Sequence, residues 1–92
     1  MTETIQIPKR FDYSASSEFN ALLTVLLTSA EKKQIFLNCS NTDYIDSAGI
    51  GLLVMAHKKA VANQSSIIII NVKPAIREIL LLANLQKLIE IR

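Results

Sequence analysis

The sequence predicts a single α/β domain over residues 1–92, built on a mostly parallel, four-stranded mixed sheet with about three to four helices. Three observations predict it. Apolar residues recur at helical spacing in three segments that alternate with short strand-like runs. The resulting order, β-α-β-α-β-α-β, is that of a parallel sheet linked by crossover helices. Four consecutive isoleucines, Ile67 to Ile70, do not alternate with polar residues, as expected of a parallel strand covered on both faces. Half of the 92 residues are hydrophobic and only 20% are charged. That composition supports a dense core rather than disorder, and the chain is too short to divide into two.

The elements follow in order along the chain. Thr4 to Ile7 alternates polar and apolar and reads as a short strand ended by Pro8. Lys9 to Ser17 is turn-like, with possible helix caps at Ser14, Ser16 and Ser17. Phe19, Leu22, Leu23, Leu26, Leu27 and Ala30 form one stripe of a helix from about Ser16 to Ser29. Ile35 to Leu37 has strand character, and Cys39 is expected near the end of that buried strand. Asn38 to Asp46 is polar and is expected to form a loop. A second helix is expected from about Ser47 to Asn63, with Ile50, Leu53, Val54, His57 and Val61 facing inward. Ser66 to Val72 is the isoleucine strand. Pro74 suits the first turn of a third helix, with Ile76, Ile79, Leu80 and Ala83 inside. Asn84 tolerates the left-handed backbone that stops a helix. Leu88 to Ile91 adds an edge strand.

Charge and composition exclude several functions. The net charge is +2, from ten basic and eight acidic residues. The basic residues are scattered as Lys9-Arg10, Lys32-Lys33, Lys58-Lys59 and singles, with few aromatics between them. No nucleic-acid surface is expected from such a pattern. Cys39 is the only cysteine, so no internal disulfide is available. The start, Met-Thr-Glu-Thr, does not read as a secretory leader. Apolar runs such as Ile79 to Ala83 fall far short of the ~20 residues that cross a bilayer. The expectation is a cytoplasmic domain without membrane insertion.

Only two glycines occur, and both lie in Asp46-Ser47-Ala48-Gly49-Ile50-Gly51. Glycine inside a helix costs about 1 kcal/mol relative to alanine, so two in the first turns require a cause. One cause is close approach of another molecule to the backbone. Ser47 is expected as the N-cap, at the point where a strand's carboxyl end passes into a helix. The plainer alternative is that Ser47 only caps the helix and the glycines only permit tight packing.

Enzyme chemistry lacks its partners here. A serine nucleophile needs a base, and the only histidine, His57, lies ten residues along the same helix, about 15 Å away. Cys39 and one histidine do not make a metal site. Gly49-Ile50-Gly51 lacks the third glycine of the dinucleotide fingerprint, and no Gly-Lys-Ser/Thr occurs. Asp43 and Asp46 have no further carboxylate cluster or base beside them. No catalytic residue, metal or cofactor is expected.

The segment Asp46-Ser47-Ala48-Gly49-Ile50-Gly51-Leu52-Leu53 resembles the Asp-Ser-Ser/Thr-Gly-Leu-Gly motif of the STAS domain, as found in bacterial anti-sigma-factor antagonists. Lys73-Pro74-Ala75-Ile76-Arg77 and Leu80 to Leu88 are similar to that family's last helix and its exit. Phe11-Asp12 resembles the Leu-Asp before its first helix. The resemblance spans about Arg10 to Ile91. Arg10-Phe11-Asp12-Tyr13, Tyr44 and Ile79 to Asn84 look closest to a subgroup in gammaproteobacteria. Its members work with a phosphatase-type response regulator in motility and biofilm control.

The resemblance implies that a partner serine kinase phosphorylates Ser47. It also implies that the unphosphorylated form binds an anti-sigma factor or switch protein, and that a serine phosphatase reverses the mark. Ala48 stands at the motif's second Ser/Thr, which removes an alternative acceptor. Only one strand, Thr4 to Ile7, reads clearly before the first helix, where the family often has two. The expected partner face takes in Asp12, Asp43, Asp46, Ser47, Ala48, Gly49, Gly51, Leu52, Met55 and Lys59. Helical geometry turns Ala48, Gly51, Leu52 and Met55 away from the core, with Lys58 and Lys59 at the rim. A phosphate there adds about −1.5 to −2 charges beside Asp46 and near Asp43, at a helix N-terminus that tolerates an anion. Two rival readings are a subunit of a lipid-transport or sensory complex, never phosphorylated, and a small-ligand or nucleotide sensor.

Overall fold

The computed structural model describes residues 2–29 and 31–92. The strands are β1 (Thr2–Gln6), β2 (Arg10–Phe11), β3 (Gln34–Asn38), β4 (Tyr44–Ile45), β5 (Ser66–Ile70) and β6 (Glu90–Ile91). The helices are α1 (Ser16–Leu27), α2 (Ser47–Ala62) and α3 (Pro74–Leu82), with 3-10 turns at Tyr13–Ala15 and Leu85–Lys87. Four strands form the main sheet in the order β1-β3-β5-β6. Every pairing in it is parallel, which sharpens the expectation of a mostly parallel, mixed sheet.

That strand order decides where the core sits. Parallel crossovers are right-handed, so connections that always step the same way along a sheet place their helices on one face. The row Ile5, Leu37, Ile69 and Ile91 and its neighbours Ile35 and Ile67 face the helices. Phe19 and Leu23 of α1, Leu53, Ala56 and Ala60 of α2, and Ile76 and Leu80 of α3 close the core over them. The opposite row carries Thr4, Phe36, Ile68 and Glu90. There the Arg92 guanidinium pairs with Glu90 at 2.6 Å and lies 5.8 Å from the Phe36 ring centre. The isoleucine strand is therefore not sandwiched between helix layers, as its composition suggested. Ile67, Ile68 and Ile69 are buried, but helices cover one face only.

Several boundaries move. The expected turn from Lys9 to Ser17 holds a second strand, β2, before α1, and the expected loop holds its partner β4. Thr42, buried at the base of that loop, donates to the Pro8 carbonyl at 3.0 Å and so ties the loop to the β1–β2 link. In α1, Phe19 and Leu23 are buried, Leu26 and Leu27 half-buried and Leu22 exposed; Ala30 lies outside the described residues. In α3, Ile76 and Leu80 are buried, whereas Ile79 and Ala83 are exposed. Pro74 opens that helix and Asn84 takes φ 58°, ψ 28° just beyond its end. Cys39 follows β3 and is buried; desolvation pushes its thiol up to about 11, with a Thr42 hydrogen bond opposing.

The inner face of α2 differs from the expected one. Its buried residues are Gly49, Leu53, Ala56 and Ala60. Ile50, Val54 and His57 are half-buried, and Val61 is 57% exposed. The small residues face inward because the helix lies close to its neighbours, so volume and not hydrophobicity selects this stripe.

Candidate functional site

The small β2–β4 sheet builds the site. Arg10 pairs with Tyr44 and Phe11 with Ile45 in parallel register, so Asp12 and Asp46 follow at adjacent strand ends. Each tripeptide, Arg10-Phe11-Asp12 and Tyr44-Ile45-Asp46, sends its middle residue into the core and ends on a capping aspartate. Asp12 caps the 3-10 turn, accepting from the Ser14 backbone amide at 3.0 Å and from the Ser14 hydroxyl. Asp46 caps α2, accepting from the Gly49 amide at 3.0 Å.

This cap displaces Ser47 from the role expected of it. Asp46 has extended backbone, φ −124° and ψ −170°, and is the N-cap; Ser47 is the first helical residue. Ser47 is exposed, and among the described residues no hydrogen bond engages its hydroxyl. The helix start does not use that hydroxyl, which is left facing solvent beside two backbone amides that no intrahelical carbonyl reaches.

The two glycines part company at this turn. A Cβ on Gly49 would lie 2.2 Å from the Phe11 carbonyl oxygen and 2.8 Å from Ile45 Cγ1, so only glycine lets α2 start against the small sheet. A Cβ on Gly51 would meet nothing within 4 Å, and neither glycine has positive φ. The packing explanation holds for Gly49. It fails for Gly51, which the domain's own fold does not require.

Around Ser47 the surface is small and partly apolar. Ala48 and Gly51 are exposed, Met55 is 49% exposed, and Tyr13, just beyond Asp12, is 80% exposed. Leu52 and Lys59 are half-buried, and Leu52 packs against the core's margin, so the outward strip is narrower than helical geometry alone suggested. Asp43 is not brought to Ser47. It stands at the amino end of β4, bonded to Lys73 and 3.6 Å from Lys9 Nζ, and the Lys73 contact holds its carboxyl below the ordinary range.

Sequence reasoning missed the stack that braces this end of the small sheet. Arg10 Nε donates to Asp12 Oδ2 at 2.6 Å, and the guanidinium lies 4.1 Å from the Tyr44 ring centre. Tyr44 Oη reaches Asp46 Oδ2 at 3.5 Å. Hydrogen bonds from Ser14, then from Arg10, hold the Asp12 carboxyl below its usual range, and the Asp12 bond raises Arg10 further. The signal was present in the matching spacing of Arg10 to Asp12 and Tyr44 to Asp46. Among the described residues no group of three or more metal-ligating side chains converges, and no helix is long and apolar enough to cross a membrane.

Comparison with known proteins places this geometry. A family model described as the STAS domain matches residues 3–92. A STAS-domain containing protein of Pseudomonas aeruginosa is 32% identical over 89 residues, covering 96% of this chain and 85% of its own. An anti-sigma-factor antagonist (STAS) domain protein from Planctomyces limnophilus superposes with TM-score 0.81 at 16% identity, over 96% of this chain and 79% of that one. The Bacillus cell fate determinant SpoIIAA, an anti-sigma factor antagonist, superposes in both of its forms at 19% identity and over 97% of this chain. The TM-score is 0.73 for the unphosphorylated form, over 76% of that chain, and 0.71 for the phosphorylated form, over 80%.

Proposed function

The chain belongs to the STAS domain family, and on that footing we propose that it is a phosphorylation-switched binding protein and not an enzyme. Ser47 is the phosphoacceptor. The unmodified protein binds an anti-sigma factor or an equivalent switch protein, a serine kinase marks Ser47 and releases it, and a serine phosphatase restores the first state. One observation carries this reading. The first turn of α2 presents an exposed serine whose hydroxyl the cap does not use, next to a glycine that the fold does not need.

The physical chemistry supports a switch at the surface. Phosphate adds about −1.5 to −2 charges beside Asp46 and Asp12, on a face whose small side chains let a partner's backbone come close. The helix N-terminus tolerates the anion, so the fold persists while the docking face changes charge. That SpoIIAA keeps one fold in both forms supports the same picture. The subgroup that the Arg10 to Tyr13 segment resembles suggests a cytoplasmic setting in motility and biofilm control, with a response-regulator phosphatase as the reversing enzyme.

The test compares partner affinity for the wild type, Ser47→Ala and Ser47→Asp by titration calorimetry, using the anti-sigma factor or kinase that co-purifies from the native cell. Ser47→Ala is expected to bind constitutively and Ser47→Asp about 100-fold or more weakly, since an unmatched charge buried at an interface costs several kcal/mol. Equal affinity for all three forms would overturn the reading. Transporter subunits in place of a kinase or anti-sigma factor would favour a structural role in a lipid-transport complex.

A further inference from the structure

Phosphorylation of Ser47 adds charge where two carboxylates already stand, and the same end of the small sheet holds one cation that can meet it. Asp12 and Asp46 are both committed as caps, to Ser14 and to Gly49. Arg10 is committed at one nitrogen only. Its Nε binds Asp12 Oδ2, while among the described residues its two terminal nitrogens have no hydrogen-bond partner. The side chain is 64% exposed and lies over Tyr44, whose hydroxyl reaches the Asp46 carboxylate. Asp46 immediately precedes Ser47, so the stack leads toward the phosphoacceptor. The Asp46 charge already acts on the guanidinium through space.

Other cations are directed elsewhere. Lys9 and Lys73 bind Asp43 at the far end of β4. Lys58 and Lys59 lie about 16–18 Å from Ser47 along α2, beyond the reach of a direct contact.

From this arrangement we propose that Arg10 is the internal counter-ion of a phosphate on Ser47, holding Asp12 with Nε while its free terminal nitrogens turn, on the Tyr44 ring, onto the phosphate oxygens. The proposal rests on Ser47 being the phosphoacceptor. A guanidinium presents paired N–H donors that match two phosphate oxygens, which an ammonium does not. Stacking and the Asp12 bond already restrict the side chain, so less conformational freedom is lost when the new contact forms. Arg10 is then a positioning residue. It fixes where the phosphate points, links the Tyr13–Ala15 turn to the start of α2, and sets how fully the phosphate is ionised near neutral pH.

The last consequence makes the contact measurable. Asp12 and Asp46 alone would push the phosphate's second pKa above its ordinary value of about 6, whereas a bound guanidinium pulls it down. Phosphoserine is placed at position 47 of the full chain by genetic encoding, and the 31P shift is followed against pH. The second pKa is expected about one unit lower in the wild-type chain than in Arg10→Gln, with Lys9→Gln unchanged as the charge-matched control. In the unmutated phosphoprotein the Arg10 Nε–H resonance should titrate with the same midpoint, a readout that depends on no variant folding. Superimposable 31P titrations for wild type and Arg10→Gln, with a flat Arg10 resonance, would overturn the proposal. An equal shift from Lys9→Gln would also overturn it, by reducing the effect to net charge. Because the phosphate is installed directly, either failure leaves open whether cells phosphorylate Ser47, which is read separately from native protein.

Discussion

Gly49 and Gly51 stand two positions apart on one helical turn, and they exist for different reasons. Gly49 faces inward, where the Phe11 carbonyl and the Ile45 side chain leave no room for a methyl group. Gly51 faces outward, where a methyl group would touch nothing. The first glycine belongs to folding. The second weakens the helix and relieves no contact within the domain, which is why the proposed docking face takes it in. Glycine in a sequence motif thus carries two separable meanings, and the space around its absent Cβ tells them apart.

Substitutions can break this contrast, and the largest effect is expected on the inner side. Gly49→Ala drives a Cβ into backbone, which the small sheet cannot yield without moving. A loss of about 2–3 kcal/mol is expected, which in a domain of this size is a fall in Tm of roughly 10–20 °C. A melt within a few degrees of wild type would show that α2 shifts freely against β2.

Gly51→Ala should do the opposite. Replacing a helical glycine with alanine in open space gains about 0.5–1 kcal/mol, so Tm should rise by a few degrees. Partner affinity should fall roughly tenfold if a partner's backbone packs at that position. A stabilised variant that binds normally would move the docking face off this turn.

Asp46 and Ser47 extend the same division by one residue. Asp46→Ala removes the cap on the Gly49 amide and should cost about 1 kcal/mol in urea unfolding. Ser47→Ala should be close to neutral, since its hydroxyl caps nothing. The reverse ranking would return the cap to Ser47.

The smallest expected effect is on acid stability. Hydrogen bonds from Ser14 and Arg10 lower the Asp12 carboxyl in the folded state, and Lys73 lowers Asp43. A lowered folded pKa means stability that is complete above the ordinary carboxylate value of about 3.9 and lost as pH falls through the folded values. Asp43 is exposed, and Asp12, though half-buried, is held by surface hydrogen bonds, so the effect should be slight. Urea midpoints for wild type and Asp12→Asn should therefore converge below about pH 4 and differ above it. A gap that widens on acidification would contradict this.

Much of this was legible in the sequence, for identifiable reasons. Ile67 to Ile70, Pro74 and Asn84 are strong local signals, and they located β5 and both ends of α3. The paired strands β2 and β4 were not legible, because two residues cannot show alternation and their pairing joins positions 34 apart. The inward face of α2 was misjudged because Ile50, Leu52, Leu53, Val54 and Met55 surround the helix with apolar groups. No 3.6-residue period picks one side of such a run, and the stripe that won is set by smallness at Gly49, Ala56 and Ala60. Asp46 and Ser47 are both good caps, and only the extended backbone leaving β4 decides between them. The Arg10–Tyr44 stack depends on strand register, which local pattern does not contain.

The central claim is that cells write a phosphate on Ser47, and one peptide reports it. Trypsin releases Gln34 to Lys58 as a single fragment that contains Ser40, Thr42, Tyr44 and Ser47 as possible acceptors. Fragmentation mass spectrometry of this peptide from natively expressed protein, across growth conditions, should place phosphate on Ser47 in a fraction that changes with condition. A peptide recovered unmodified throughout, or modified only at Ser40, Thr42 or Tyr44, would contradict the account.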